Sequence, residues 1–575
     1  MTELVMNAQT SYANPFADNS VTAQFIGPTG QQLDIPGFYD GNGVWRVRFT
    51  PTQVGTWQYQ TSSTNTTDKG LHGISGSLNV TSPSSTNPLY AHGGFLKVSA
   101  NHRYLTYTDG TPFFWLGDVW WFAPSALLPI DGDEPAFKTL VDKRTAQLYS
   151  ILQWAFLDEG WGHEWCCGDN STQVLAQQNR ANPTYWQLVD RYFSYAQDHG
   201  LMPVIGFAEG FPTDLTLDQW KFLWSYVMAR YGATPVTFLV TMEYNVSYDR
   251  QRVSAALALG QHIKDSDPYQ RAMSVHPWAI WVDGREAWSQ PWYDFTIVQG
   301  GHWSPPQLAG ASWYQSAYTA IPTRPMVDAE DAFEGILGYG GSPNQVIGPE
   351  QTRRAAYYSI QLGGFGFTYG AHGLWYPTQS DTDNRYWSDW GTSPPWWVAM
   401  DRPAGQQMQY LRALYESVNW WELEPLSNGV TRVDGIVDPD WYQPRAKAKL
   451  DDVYLIWFPY GVDGNASYTL QRQSAGQRTF TAQWFDPQTG TVTPAGPVSC
   501  TVAICGLPSR PNSDDWVLVL TGEQGLREDS GARSIPFLGK DRWYCATALG
   551  QPSTDQLSPS TFDFGDRKIR AHFGN

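Results

Sequence analysis

The chain has 575 residues, of which 42% are hydrophobic and 16% are charged, a composition typical of a large globular protein with room for several domains. No apolar run approaches the roughly 18 residues that a membrane-spanning helix needs, so we expect no membrane partner. The formal net charge of −18 argues against a basic surface that could neutralise a phosphate backbone. We therefore expect no nucleic-acid partner either.

Residues 1–82 are predicted to form an N-terminal β-sandwich. Short runs of alternating apolar and polar residues are separated by Gly, Pro and Asn, as in strands joined by turns. These runs are 22–27, 43–49, 55–61 and 76–80. The polar segment 81–88 is a linker by composition.

The first residues carry no visible signal peptide, because segment 1–7 has neither a basic region nor an apolar region. We therefore expect a cytoplasmic protein, or a secreted one whose leader is missing from this sequence.

Residues 89–425 are predicted to form a (β/α)₈ TIM barrel. Eight short apolar runs alternate with amphipathic helical segments, which is the pattern of parallel βαβ units. The predicted strands are 113–117, 150–154, 202–206, 237–242, 272–276, 295–299, 325–329 and 365–369. The predicted helices include 185–199, 217–231, 253–265 and 351–362.

Residues 426–522 return to short strands and are predicted to form a C-terminal β-sandwich. Residues 523–575 have weak periodicity and receive no assignment. A disulfide between Cys500 and Cys505 is one possibility in this region, although five cysteines do not make a disulfide framework. The Cys and His spacing fits no zinc pattern, and we expect neither a metal nor an organic cofactor.

Aromatic residues make up 15% of the chain, with 29 Trp, 31 Tyr and 26 Phe. Many must fill cores, but the indole ring is rarely buried completely, and aromatic faces line pockets for small ligands such as sugar rings. The composition therefore favours a carbohydrate partner over a purely structural use of these residues.

The active site of such a barrel lies where the strands end at their carboxyl face. Carboxylates, histidines and tryptophans follow the predicted strands, a set that suits a sugar pocket better than a metal site. We predict that the substrate-binding residues are Asp118, Trp120, Trp121, Gln153, Trp154, Glu209, Asn245, His276, His302, Trp303 and Trp375.

Glu243 and Glu330 are the predicted catalytic residues. They follow strands 4 and 7, which lie on roughly opposite sides of an eight-stranded barrel, so their carboxyl groups can face each other across a sugar ring. A retaining glycosidase places these groups about 5–5.5 Å apart. Glu330 would be the nucleophile and Glu243 the general acid and then base, with its pKa raised by burial or by its partner's charge.

Alternatives remain open for the catalytic pair. Glu243 could instead bind structural arginines, and Asp328 or Glu334 could replace Glu330. Glu209 is the strongest rival, because the segment 206–211 after strand 3 places it one loop from the barrel mouth.

Alternatives also remain for three of the binding residues. Asp118 could accept hydrogen bonds from sugar hydroxyls or could fix the first βα loop. His276 and His302 could be histidines satisfied within the core or could recognise hydroxyl groups.

Three segments resemble the apiosidase-like family of glycoside hydrolases. Residues 101–121, NHRYLTYTDGTPFFWLGDVWW, resemble the opening of that family's barrel. Residues 325–335, PMVDAEDAFEG, resemble its seventh strand, and residues 354–375 resemble its final helix and strand. The flanking sandwiches, the second with a WFDPQTG turn at 484–490, are similar too.

The resemblance implies that the family's nucleophile falls on Glu330. The family's acid/base ends strand 4, commonly as Asp after two glycines, whereas this chain has Thr241, Met242 and Glu243 there. The family's name activity releases apiose from pectin side chains, and the departure at strand 4 leaves the sugar open.

The sequence as a whole predicts a retaining, exo-acting glycoside hydrolase on a plant-derived glycan or glycoside. A non-catalytic carbohydrate-binding protein on the same scaffold is the alternative, and a metal-dependent barrel hydrolase is a third hypothesis. A homo-oligomer is possible, since the sequence does not fix the oligomeric state.

Overall fold

The computed structural model describes residues 1–522 apart from 126, 134, 157–178, 208–214, 247–248, 280–284, 303–309, 339–344, 381–389, 475 and 502. The described part contains three regions along the chain: two antiparallel sheets, a parallel barrel and a large antiparallel sheet.

The N-terminal region consists of two antiparallel sheets, ordered β1-β5-β4 and β3-β2-β6-β7. Alternate residues of β2 are buried, as expected for strands with one face on a core. In that core Phe25 stacks on Phe49, and Trp57 contacts the edge of Phe49. The strands are β1 (Thr2–Asn7), β2 (Val21–Ile26), β3 (Gln32–Pro36), β4 (Phe38–Gly41), β5 (Val44–Phe49), β6 (Gly55–Ser63) and β7 (Ser75–Val80).

A short helix and a small antiparallel sheet precede the barrel. The sheet has the order β10-β9-β8. These elements are α1 (Pro88–Ala91), β8 (Lys97–Val98), β9 (Leu105–Thr106) and β10 (Pro112–Phe113).

Eight parallel strands form a nearly closed barrel and confirm the eight predicted runs. The order is β15-β14-β13-β12-β11-β18-β17-β16, and no ladder joins β15 to β16 among the described residues. Strands such as β13 are buried on both faces, which explains their continuous apolar runs. The strands are β11 (Trp115–Val119), β12 (Ile151–Phe156), β13 (Met202–Phe207), β14 (Thr237–Leu239), β15 (Met273–Ser274), β16 (Thr296–Gly301), β17 (Met326–Asp331) and β18 (Gly366–Tyr369).

Helices between the strands pack on the outside of the barrel. Several begin at residues that satisfy free N–H groups: Thr216 and Gln219 form a capping box, and Asn182 accepts from the N–H of Thr184. The helices are α2 (Ala136–Ala146), α3 (Pro183–Asp198), α4 (Leu217–Tyr231), α5 (Arg250–Ser266), α6 (Ala311–Thr319), α7 (Pro349–Gln361), α8 (Trp396–Ala399) and α9 (Pro403–Ser417). Single 3₁₀ turns span Glu286–Ser289, Trp420–Glu422 and Asp440–Tyr442.

The C-terminal region is one continuous antiparallel sheet that curls, like a sandwich, around its own core. Its order is β19-β21-β22-β27-β24-β25-β26-β23-β20, and the Cys500–Cys505 disulfide joins β25 to β26. The strands are β19 (Glu424–Pro425), β20 (Val430–Arg432), β21 (Arg445–Lys449), β22 (Val453–Phe458), β23 (Tyr468–Gln471), β24 (Arg478–Phe485), β25 (Val492–Cys500), β26 (Ile504–Gly506) and β27 (Trp516–Gly522).

Buried ion pairs join the barrel helices to both flanking regions. Arg353 on α7 donates two hydrogen bonds, of 2.9 and 2.7 Å, to Asp515 just before β27. On the other side, Arg230 on α4 lies 2.8 Å from Asp40. Among the described helices, none is both long and apolar enough to cross a membrane.

Candidate active site

A β-bulge in β17 turns Glu330 into the barrel. Val298 of β16 lies opposite Asp328 and Gln299 lies opposite Glu330, so Ala329 is one residue too many for a regular ladder. In a regular strand Asp328 and Glu330 would share a face. Instead the Asp328 carboxylate accepts a hydrogen bond from Tyr314 on the outer helix α6, whereas Glu330 faces histidines from neighbouring strand ends.

Two histidines contact the Glu330 carboxylate, which is only 7% exposed. His302 Nε2 lies 3.1 Å from Oε1, and His276 Nε2 lies 3.4 Å from Oε2. The backbone N–H of Phe333 points at His302 Nδ1 over 3.4 Å. Because Nδ1 accepts there, the ring proton is on Nε2, and His302 donates it to Glu330.

His276 is fully buried yet makes no well-formed hydrogen bond through either ring nitrogen within the described part of the chain. Burial lowers its pKa, and the opposing charge of Glu330 does not restore it. A neutral imidazole at a strand end, with Trp121 edge-on at 5.8 Å, is suited to bind a ligand hydroxyl.

Glu243 follows β14 with a left-handed backbone, φ +45°, which is strained for a residue with a side chain. Its side chain is half-buried, and Oε1 accepts a 2.9 Å hydrogen bond from Gln299 Nε2. Because Gln299 is also the ladder partner of Glu330, both glutamates adjoin one residue. Both predicted catalytic glutamates therefore lie next to Gln299 at the strand ends of the barrel.

Asn245 and Gln153 stabilise the backbone around this pair. Asn245 Oδ1 accepts from the N–H of Trp278, which joins the loops after β14 and β15. Gln153 is fully buried and donates over 3.3 Å to the carbonyl of Ala329, the extra residue of the bulge. Since two strands separate β12 from β17, this contact crosses the barrel interior.

Three of the predicted binding residues are buried and packed against the outer helix α2. Asp118 is 1% exposed and paired with Arg144 at 2.6 Å, so it fixes a helix to the first strand. Trp120 and Trp154 are fully buried and pack against Phe137 of α2. Strand alternation places these side chains between barrel and helices, where substrate does not reach.

The rivals to Glu330 are engaged in structural contacts. Glu334 accepts from the Tyr369 hydroxyl at 2.8 Å and from the N–H of Ala404 at 3.1 Å. Asp328 is turned outward by the bulge.

Among the other predicted binding residues, Trp375 lies beyond β18, is 8% exposed and is parallel to His372. Glu209 and Trp303 lie outside the described residues.

Sequence reasoning missed two residues near the pair. From the sequence, Gln299 is only the last residue of the predicted strand 295–299, because its link to Glu243 depends on pairing between distant segments. Asp331, next to Glu330 in the chain, gave no signal of its own. Within the described ranges, no group of three or more His, Cys, Asp or Glu side chains is placed to hold a metal ion.

The barrel and its pocket of glutamates, histidines and tryptophan are those of a glycoside hydrolase. Residues 99–422 match the family described as "Apiosidase-like, catalytic domain". The chain belongs to this apiosidase-like family of glycoside hydrolases. Residues 1–64 match a "Domain of unknown function", and residues 436–521 match a "Putative collagen-binding domain of a collagenase".

Solved structures share the fold at low identity. A "Glycoside hydrolase" is 21% identical with a TM-score of 0.61, over 75% of this chain and 97% of its own. A family 5 glycoside hydrolase from Bacteroides vulgatus is 20% identical, TM-score 0.61, over 76% and 95%. A "putative glycoside hydrolase" from that bacterium is 17% identical, TM-score 0.67, over 91% and 98%. No curated protein matches the chain.

Proposed function

We propose that the protein is a retaining glycosidase in which Glu330 is the nucleophile and Glu243 the acid/base. The observation that carries the proposal is the meeting of the two glutamates at Gln299, with Glu330 held by hydrogen-bonded His302. The donated hydrogen bond fixes Oε1, while Oε2 has only the longer 3.4 Å contact with His276 and is the oxygen placed to react.

In the first step, an oxygen of Glu330 bonds to the anomeric carbon as the glycosidic C–O bond breaks. Glu243 gives its proton to the departing oxygen, which leaves as an alcohol. In the second step, water attacks the anomeric carbon, Glu243 takes a proton from that water, and the bond to Glu330 breaks.

Membership of the apiosidase-like family supports an exo-acting enzyme on a plant-derived glycan or glycoside. Carbohydrate is then the partner, and Trp121 and His276 are suited to one sugar ring through stacking and hydroxyl contacts.

Hydrolysis of a panel of nitrophenyl glycosides and plant oligosaccharides tests this proposal. We expect Glu330→Ala and Glu243→Ala to lower kcat by about 10²–10⁴-fold on whichever substrate the wild type cleaves. NMR of the first-formed product should show the anomeric configuration of the substrate. Azide should rescue Glu243→Ala with retention and Glu330→Ala with inversion.

Glu334→Gln is the matched control, because Glu334 lies four residues from Glu330 but contacts only structural groups among those described. It should lose stability and keep catalysis. An inverted product would refute the retaining mechanism, and a fully active Glu330→Ala would refute the residue assignment. A wild type that binds sugars and cleaves none would favour the non-catalytic alternative.

A further inference from the structure

A pair of buried carboxyl groups lies directly behind the bulge that carries Glu330. Asp328 and Asp331 are 1% and 0% exposed and contact each other on the outer side of β17. The catalytic mechanism uses neither. Two adjacent carboxylates in a dry interior repel strongly, so their presence needs a physical account.

The two acids have unequal hydrogen-bond environments. Asp328 accepts from the Tyr314 hydroxyl at 2.5 Å, and the N–H of Glu330 points at its other oxygen over 3.4 Å. Neither oxygen of Asp331 accepts a well-formed hydrogen bond from the described residues, although the N–H of Ala332 makes a weak contact that acts to lower its pKa. The nearby N–H of Ala332 already donates to the carbonyl of Gly301. Asp328 is thus solvated as a carboxylate, whereas Asp331 is not.

A proton on Asp331 removes the repulsion between the two carboxylates and adds a hydrogen bond, because a carboxylic acid can donate to the carboxylate beside it. Burial and the charge of Asp328 raise the pKa of Asp331 well above its ordinary value. Burial also raises the pKa of Asp328, to about 7. The groups that face the pair are Tyr314 of α6 and Glu330 of β17, with Tyr358 of α7 behind Tyr314. None of these is basic.

The bulge leaves room for this pair only because residue 300 is glycine. A Cβ at Gly300 would lie 2.2 Å from Asp331 Oδ2. Asp328 and Asp331 stand on either side of Ala329, which has no partner in the ladder, and of Glu330, which pairs with Gln299. A bond between their side chains therefore closes a short loop that contains Ala329 and Glu330.

We propose that Asp331 is a positioning residue: as a neutral acid it donates its proton to Asp328, and this bond holds the bulge that turns Glu330 toward the substrate. The inference rests on the proposed role of Glu330. Ionisation of Asp331 would convert the bond into a repulsion and release Glu330 from its attacking geometry.

Two measurements on Asp331→Asn test the proposal. The asparagine amide can still donate to Asp328 but cannot ionise. First, at a pH above 7, where Asp328 is ionised, the infrared spectrum of the wild type should contain the C=O band of a protonated Asp331, and this band should be missing from Asp331→Asn. Second, the loss of kcat at alkaline pH should lie at higher pH in Asp331→Asn than in the wild type.

Asp331→Ala should lower kcat by about 100-fold with little change in KM, since a displacement of about 1 Å can cost that much. Asparagine should restore most of this loss. Asp294→Asn is the control: Asp294 is a half-buried acid of the barrel that binds Lys264 at 2.7 Å and does not contact the Asp328–Asp331 pair. Its replacement should lower stability and leave the alkaline limb unchanged.

If the infrared band persists in Asp331→Asn, or the alkaline limb stays in place, the proposal is overturned. The infrared result needs no substrate, so it remains decisive if the glycosidase mechanism itself fails. It also needs only the asparagine variant, should the alanine variant not fold.

Discussion

His302 contacts the Glu330 carboxylate, and the contribution of this contact to catalysis can be measured. A hydrogen bond to a charged group contributes about 1.5–3 kcal/mol, and about 1.4 kcal/mol corresponds to a tenfold change in rate. We therefore expect His302→Ala to lower kcat by about 10–100-fold, because the nucleophile loses the donor at Oε1. Steady-state kinetics on the substrate found in the glycoside panel would check this.

The control for that experiment is His262→Ala on α5, whose ring lies 3.0 Å from the Ser225 hydroxyl of α4, between two outer helices. It should leave kcat unchanged. An unaltered kcat in His302→Ala would mean that His302 fills space and does not orient the carboxylate.

Asp118 and Arg144 form a buried pair whose value is structural. Breaking such a pair by removing one partner costs about 3–5 kcal/mol, because the other charge stays buried. We expect Arg144→Met to be destabilised by that amount, and the double change with Asp118→Asn to recover much of it. Urea unfolding measures both. A rise in KM for Asp118→Asn at unchanged stability would instead restore the substrate-binding interpretation.

At the scale of elements, the bulge between β16 and β17 is the feature on which the pocket depends. Gly300→Ala would place a methyl group 2.2 Å from Asp331 Oδ2, and such overpacking costs about 1–3 kcal/mol. We expect lower thermal stability together with lower kcat, because the strand must shift under Glu330. Melting temperature and kcat of the same preparation would be compared.

Gly506→Ala is the matched change, since nothing lies within 4 Å of the position its Cβ would take. It should alter neither quantity. Loss of stability in Gly300→Ala with full kcat would show that the bulge can move without redirecting the nucleophile.

At the scale of the whole molecule, the barrel and the C-terminal sheet share one hydrophobic core. Leu455, Trp457, Val517 and Val519 face the barrel and are almost fully buried with its own apolar residues. The buried Arg353–Asp515 pair crosses the same boundary. The C-terminal sheet is therefore part of the barrel's folding unit.

A chain ending at residue 425 should consequently fail to give a stable barrel. It would expose the apolar surface that the sheet covers and leave Arg353 buried without its acid. We expect aggregation or a loss of the cooperative thermal transition. Size-exclusion chromatography would detect the aggregation, and circular dichroism would detect the loss of the transition. The full chain with Arg353→Ala should show a smaller loss of about 3–5 kcal/mol. A monomeric, cooperatively folding fragment would show that the barrel is independent.

The local sequence pattern alone was enough to predict the strands of the barrel and the strand ends of its candidate site. The eight barrel strands were recognisable because strands buried on both faces read as apolar runs, and each run needs only its own residues to be seen. The positions of Glu243 and Glu330 at strand ends follow from the same pattern, because each glutamate comes directly after a recognisable apolar run.

Only the tertiary structure decided which side chains enter the pocket. Asp118, Trp120 and Trp154 end strands as Glu330 does, yet they face the helices, because orientation depends on register and on one extra residue at Ala329. The single curled sheet at the C-terminus and the contact between Gln299 and Glu243 are likewise pairings of distant segments. Periodicity is a local property, whereas register and partner choice are set by packing between elements far apart in the chain.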